Sequence, residues 1–228
     1  MSASPLLTSS PFAVPPGVAT ALSTLGPLIN IGMQGSSVSI ALGINRNGSV
    51  GSLSPVPFIA LLMNCFIWAQ YGILVDSGVV AIPGLTGAVA GIMCAFIYDQ
   101  NSKHVNKTSL YRIAFAILGV STGLFMQNRP YELGLLGCFI SVALMSSPLA
   151  AMGTVLREKS TASMPFAVSA LTTLNVLIWL AYGLLVADDV MIYGPNIIGI
   201  VLCGIQMALY VRFGIGAQKQ APVPELAL

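Results

Sequence analysis

Charged side chains are scarce in this sequence: Asp, Glu, Lys and Arg together make up 7% of 228 residues, against about a quarter in a soluble globular domain. With 56% hydrophobic residues besides, the chain cannot cover itself with a water-facing surface and is expected to be solvated by lipid. The net charge of +2 is scattered between apolar stretches, so no basic patch exists for nucleic acid. Histidine occurs once, at His104, and the four cysteines (Cys65, Cys94, Cys138, Cys203) lie inside apolar segments without metal-ligand spacing. Neither a metal site, a cofactor nor a disulfide framework is expected. The apolar stretches also lack paired aspartates or a serine beside a base, so the chain is not read as an enzyme.

What the chain does have is apolar sequence in blocks. About 20 mainly apolar residues cross a bilayer as a helix, and such windows fall near 20–43, 56–75, 78–98, 109–127, 132–156, 164–187 and 189–212. The first is diluted by Ser and Gly. The expectation is an all-α membrane protein with seven transmembrane helices. Residues 1–18, rich in Pro and Ser, are expected to be disordered, and the cytosolic tail, residues 214–228, is expected to be unstructured after about Gly216. Seven spans place Arg46, Lys103, Lys107, Arg112, Arg157, Lys159, Arg212 and Lys219 on one side and Arg129 alone on the other. The positive-inside rule then puts the C-terminus in the cytosol and the N-terminus outside. The sequons at Asn47 and Asn106 fall on the cytosolic side and should carry no glycan. No sorting signal distinguishes the plasma membrane from an endomembrane.

Within these blocks one pattern occurs twice. Asn64, Trp68, Tyr71, Gly72, Leu74 and Val75 return 111 positions later as Asn175, Trp179, Tyr182, Gly183, Leu185 and Val186. Arg46, Ser49 and Ser52 match Arg157, Ser160 and Ser163 at the same offset. Beyond Val75 one inserted residue shifts the register, so that Pro83, Gly87 and Tyr98 match Pro195, Gly199 and Tyr210. Spans one to three therefore repeat as spans five to seven, and the odd fourth span lets both copies cross in the same direction. The organisation expected is a first triple-helix bundle over 19–99, a linker with the fourth helix over 100–129, and a second bundle over 130–213.

The chain resembles the SWEET family of sugar transporters, a PQ-loop-like fold of two parallel triple-helix bundles joined by a linker helix. The resemblance rests on Ser147-Pro148-Leu149, Lys159-Ser160, Met164-Pro165-Phe166, Trp179-x-x-Tyr182-Gly183-Leu184-Leu185, Asp188, Pro195-Asn196-x-x-Gly199 and Gln206-x-x-x-Tyr210. The first half contributes Pro57-Phe58, Asn64-Cys65 and Tyr71-Gly72, and the whole similarity covers roughly residues 30 to 213. Two positions depart from the family pattern. Gly84 stands where the first half should carry the counterpart of Asn196, and Ser37 stands where it should carry the counterpart of Pro148.

Asn64, Trp68 and Tyr71 fall at i, i+4 and i+7 and share a helix face, as do Asn175, Trp179 and Tyr182. Such a face reads either as a cavity wall or as helix glue with an interfacial aromatic belt. Only two tryptophans exist, both at the duplicated position, which favours the wall. The resemblance implies that Trp68 and Trp179 stack on a sugar, that Asn64 and Asn175 shape size selectivity, and that Asn196 contacts the ligand. Gly84 belongs to the same set, and Gly84→Asn is expected to restore an amide and tighten binding. Tyr71 and Tyr182 are read as interface anchors and left out of the pocket. Pro57 and Pro165 are explained locally as first-turn prolines, whereas Pro148 lies inside its span; the resemblance makes all three hinges. Pro195 should free the backbone carbonyl near Met191 to face the cavity.

No ionisable group is visible buried along a pathway to couple an ion: Asp76, Asp99, Asp188 and Asp189 fall at span ends and His104 in a loop. The function expected is facilitated uniport of a mono- or disaccharide by alternating access. The alternative is a PQ-loop-type receptor that binds a ligand without moving it, for which charged cavity groups would be expected. The partners are then a small sugar and the lipid bilayer, and a homo-oligomer is compatible with the sequence.

Overall fold

The computed structural model describes residues 14–102 and 107–215. His104, Asn106, Lys103 and Lys219 lie outside them. The regular structure of the described residues is all helix: α1 (Pro16–Asn47), α2 (Val56–Leu74), α3 (Gly78–Gln100), α4 (Thr108–Met126), α5 (Pro130–Leu144), α6 (Ser146–Glu158), α7 (Phe166–Tyr182) continued by a π-helical turn (Gly183–Ala187), and α8 (Val190–Phe213). With α5 and α6 forming one interrupted rod, these make seven membrane-length rods, six of them apolar enough to span by composition. The rod that falls short is α1, where Ser and Gly dilute the apolar residues.

Three boundaries differ from expectation, each for a local reason. Residues 16–18 are helical rather than disordered, because Pro16 occupies the first helical position, where a missing N–H costs nothing and φ is preset. The fifth span is broken at Met145. Pro148 cannot donate to Leu144 and its ring crowds that carbonyl, so the helix ends there and restarts. The one-residue shift between the repeats is taken up by the π-helical turn, whose wider i→i+5 bonding absorbs an extra residue without ending the helix. Asp188 then turns the chain at φ 48°, as Asp76 does at φ 52° in the first copy.

The four aspartate and glutamate positions Asp76, Glu132, Asp188 and Asp189 mark one end of the bundle, here termed the acidic end; Arg46, Lys107, Arg157 and Arg212 mark the basic end. The two repeats meet differently at these ends. Toward the acidic end they share one core, in which Ile67, Tyr71 and Val80 pack with Leu133, Trp179, Tyr182 and Met191. Toward the basic end each repeat has its own core: Ala41, Ile44, Phe58 and Tyr98 in the first, Met152, Val155, Met164 and Tyr210 in the second. Tyr98 donates to the Leu53 carbonyl and Tyr210 to the Met164 carbonyl, both at 2.7 Å. These are equivalent bonds, each tying the loop before a repeat's second helix to its third.

Helices α2 and α3 touch backbone to backbone. A Cβ added to Gly72 would meet Ala81 N at 2.5 Å, one on Gly84 would meet Ala69 N at 2.5 Å, and one on Gly91 would meet Leu62 Cα at 2.7 Å. Small residues on both sides allow this approach. In the second repeat, the positions matching Ala69, Ala81 and Gly91 are Leu180, Tyr193 and Cys203. Gly183, the counterpart of Gly72, still lies close to α8 backbone, where a Cβ would meet Tyr193 N at 2.8 Å, but bulkier side chains replace the rest of the seam.

A candidate binding site between the two repeats

Asn64, Trp68, Asn175, Trp179, Gly84 and Asn196, read from the sequence as one set, all line a single cavity between the repeats. Each indole is held the same way. Trp68 sits edge-on to Tyr71 with ring centroids 5.5 Å apart, and Trp179 edge-on to Tyr182 at 5.7 Å. The other side of each indole lies against a glycine of the opposite repeat's first helix. A Cβ on Gly137 would be 3.3 Å from Trp68, and one on Gly26 would be 3.5 Å from Trp179. Gly26 and Gly137 are 111 positions apart, so the duplication extends upstream of Arg46 and pairs them.

The same offset relates Asn30 to Ser141, two further lining residues that the sequence reading missed. Ser141 Oγ accepts from Trp68 Nε1 at 3.0 Å and donates to Asn64 Oδ1 at 2.9 Å. Asn30 instead accepts from Gln34 Nε2 at 2.9 Å, and Gln34 also donates to the Pro83 carbonyl at 2.9 Å. Cys65, Val80, Met145 and Ile192 complete much of the apolar lining. None of the lining residues is charged, and among the described residues no three His, Cys, Asp or Glu side chains gather as metal ligands would.

Two expectations are corrected at the helix-interior prolines. The Met191 carbonyl does not stand free below Pro195, since the Cys138 thiol donates to it at 3.3 Å. Asn196 Nδ2 meanwhile donates to the Ile192 carbonyl at 2.7 Å, while the residue keeps its place in the lining. Gly84 reaches the cavity but has no room for a side chain, because Ala69 backbone occupies the space a Cβ needs. The amide expected from Gly84→Asn therefore cannot be added by simple substitution. Polar groups on that side come from Asn30 on α1 instead.

Tyr71 and Tyr182 lie outside the cavity lining and also do more than anchor an interface. Tyr71 donates from its hydroxyl to Asp189 Oδ2 at 2.6 Å, and the Tyr182 and Ser77 hydroxyls lie 3.4 Å apart. Ser77 and Asp189 precede α3 and α8 as their N-cap residues. Each tyrosine thus crosses to the start of the opposite repeat's third helix, closing the acidic end over the cavity. Asp189 also accepts from the Met191 N–H at 2.8 Å, so its carboxylate serves cap and crossing at once.

The hinge candidates lie where their helices begin or break. Pro57 is in the first turn of α2 and Pro165 is the N-cap of α7. Pro148 follows the break at Met145. Ser37 lies within the unbroken α1.

The sequence model of the family described as "Sugar efflux transporter for intercellular exchange" matches residues 20–103 and 131–216, one match per repeat. This chain belongs to that family. SWEET relatives include the Sorghum bicolor protein named "Bidirectional sugar transporter SWEET2a", 34% identical over 195 residues that cover 80% of this chain and 79% of that protein. The Drosophila pseudoobscura pseudoobscura protein named "Sugar transporter SWEET1" is 28% identical over 202 residues, covering 84% and 88%. Among solved structures, that of a eukaryotic SWEET transporter superposes with a TM-score of 0.71 at 26% identity, covering 86% of this chain and 96% of the other. The SWEET fold and an integral membrane protein follow directly from these matches and the apolar rods.

Proposed function

We propose that this chain is a passive uniporter for a mono- or disaccharide, with Trp68, Trp179, Asn64, Asn175 and Asn196 forming the sugar-binding surface. The observation that carries the reading is the uncharged cavity between two repeats, paved by two indoles and several amides. Sugar rings offer apolar C–H faces to aromatic planes and hydroxyls to amides. A family whose description is sugar efflux, and relatives named as bidirectional sugar transporters, supply the substrate class. A receptor of related fold would be expected to carry charged ligand-binding groups, which this lining lacks.

Alternating access is supported by the contrast between the ends. The repeats share a core and two tyrosine crossings at the acidic end, whereas they keep separate cores at the basic end. With the basic end in the cytosol, this conformation faces inward. Pro57, Pro148 and Pro165 are proposed as the positions where the inner halves of the helices pivot. The proposed membrane is the plasma membrane or an endomembrane.

Uptake of labelled glucose and sucrose into proteoliposomes containing only this protein tests the reading. The expected result is saturable equilibration with exchange in both directions, insensitive to an imposed proton gradient. Accumulation above the external concentration under that gradient would overturn uniport, and no uptake of either sugar would overturn sugar transport.

A further inference from the structure

The two walls of the cavity carry the same three positions with different bonding. In the first wall, the Ser141 hydroxyl accepts from the Trp68 indole N–H and donates to Asn64 Oδ1, so one hydroxyl satisfies both groups. In the second wall, the equivalent Trp179 Nε1 and Asn175 Oδ1 are both buried and both lack a partner. Asn30, the counterpart of Ser141, is engaged by Gln34 instead. Trp179 is only 9% exposed and its indole N–H has no protein partner. A buried donor and a buried acceptor left unpaired at matched positions are costly, and the group that would satisfy both at once is a hydroxyl.

Resting on the sugar-transport reading, we propose that the ligand binds one-sidedly. One sugar hydroxyl takes, between Trp179 Nε1 and Asn175 Oδ1, the place that Ser141 Oγ takes between Trp68 Nε1 and Asn64 Oδ1. The first wall then offers the sugar an aromatic face with its polar edge already occupied, and the second wall reads a hydroxyl that must accept and donate together. Because neither atom is exposed in this conformation, that hydroxyl enters as the second wall parts. Ser141 is a positioning residue that decides which wall does the reading.

The test measures dissociation constants of the purified protein for D-glucose and its monodeoxy analogues, after proteoliposome uptake of glucose or sucrose has been established; if sucrose alone is taken up, sucrose and its monodeoxy analogues are used. One monodeoxy analogue is expected to bind about tenfold more weakly than its parent sugar. That penalty should shrink to a few-fold in Asn175→Leu, where only the Trp179 bond to the hydroxyl remains, and persist in full in Asn64→Leu, since of the two asparagines only Asn175 pairs with the lost hydroxyl. If Asn175→Leu does not fold, Trp179→Phe removes the indole N–H and tests the same coupling. Ser141→Ala should make a second deoxy position sensitive, by freeing Trp68 Nε1 and Asn64 Oδ1; a merely structural serine would weaken all analogues alike. Equal penalties in the Asn64 and Asn175 variants, or no penalty for any analogue, would overturn one-sided binding while leaving transport standing. Absence of uptake of both sugars would remove the transport reading and this inference with it.

Discussion

In the first repeat α1 runs unbroken for 32 residues and α2 packs on α3 through a seam of small residues, whereas in the second the corresponding rod breaks at Met145 and α7 ends in a π-helical turn. The two copies descend from one pattern, yet their mechanical properties differ. Bending α1 around Ser37 would require intact backbone hydrogen bonds to be given up, its interior proline, Pro27, lying ten residues earlier; the second repeat has already lost the bond to Leu144 at Pro148. Direct backbone contact between α2 and α3 leaves little freedom to slide, because any separation forfeits the whole seam. On the proposed reading, two of the three pivots, Pro148 and Pro165, fall in the second repeat, and the first keeps only Pro57 at the start of α2. A duplicated sequence therefore need not make a symmetric machine, and a few positions, Ser37 against Pro148 and Gly84 against Asn196, decide where the symmetry fails.

The sharpest way to break this comparison is to exchange residues across it. Gly84→Asn should lose about 3 kcal/mol or more of stability, because the added atoms meet Ala69 backbone and not a yielding side-chain end. The protein should aggregate on size-exclusion or melt at markedly lower temperature, while Asn196→Gly stays monodisperse. A well-folded Gly84→Asn protein would show that the α2–α3 seam is not rigid.

The acidic-end crossings differ next in strength. Removing the Tyr71 hydroxyl deletes a bond to a carboxylate, commonly worth about 1.5–3 kcal/mol, whereas the longer Tyr182–Ser77 contact joins neutral groups and is worth about 1 kcal/mol or less. Tyr71→Phe should therefore shift the conformational balance toward the state open at the acidic end more than Tyr182→Phe does. Labelling of Cys65, which lines the cavity, by an impermeant thiol reagent in a background without the other three cysteines reads this out. Equal labelling in the two variants would erase the distinction.

At the cavity itself, Asn196→Ala and Trp179→Phe should each lower transport about fivefold without loss of folding, in keeping with about 1 kcal/mol for one polar or aromatic contact. Trp179→Ala is a poorer probe than the sequence alone indicated. Trp179 belongs to the shared core, so truncation also opens a hole costing several kcal/mol. Normal flux through folded Asn196→Ala protein would remove Asn196 from the ligand surface.

The smallest effect is expected at the joint. Pro148→Ala lets α5 and α6 join by restoring a backbone donor, and turnover should fall a few-fold with KM little changed, because pivoting and not binding is impaired. A fall in KM without a fall in turnover would place Pro148 in binding instead.

Much of this was legible in the chain. The scarcity of charge required lipid, the apolar blocks located seven rods, and the 111-residue offset paired Asn64 with Asn175 and Trp68 with Trp179, all of which line the cavity. Asn30, Ser141, Gly26 and Gly137 obey the same offset but lie in helices whose Ser, Gly and apolar residues look unremarkable by themselves. Tyr71 and Tyr182 do stay out of the cavity lining, but their crossing role is not legible in the sequence, where a tyrosine near a helix end usually anchors at the membrane surface; only the position of Asp189 across the interface gives Tyr71 its partner.

The sequence by itself determined membrane residence, the repeat, the family and the chemical character of the cavity, since these depend on composition and on residues at fixed helical spacing. Tertiary structure alone decided which groups are already satisfied. Whether Ser141 reaches Trp68, or Gln34 draws Asn30 away, depends on angstrom-scale distances between helices far apart in the chain. It also decided that Gly84 cannot become an asparagine. The substitution is permitted by the pattern and forbidden by the Ala69 backbone lying where the new side chain would begin.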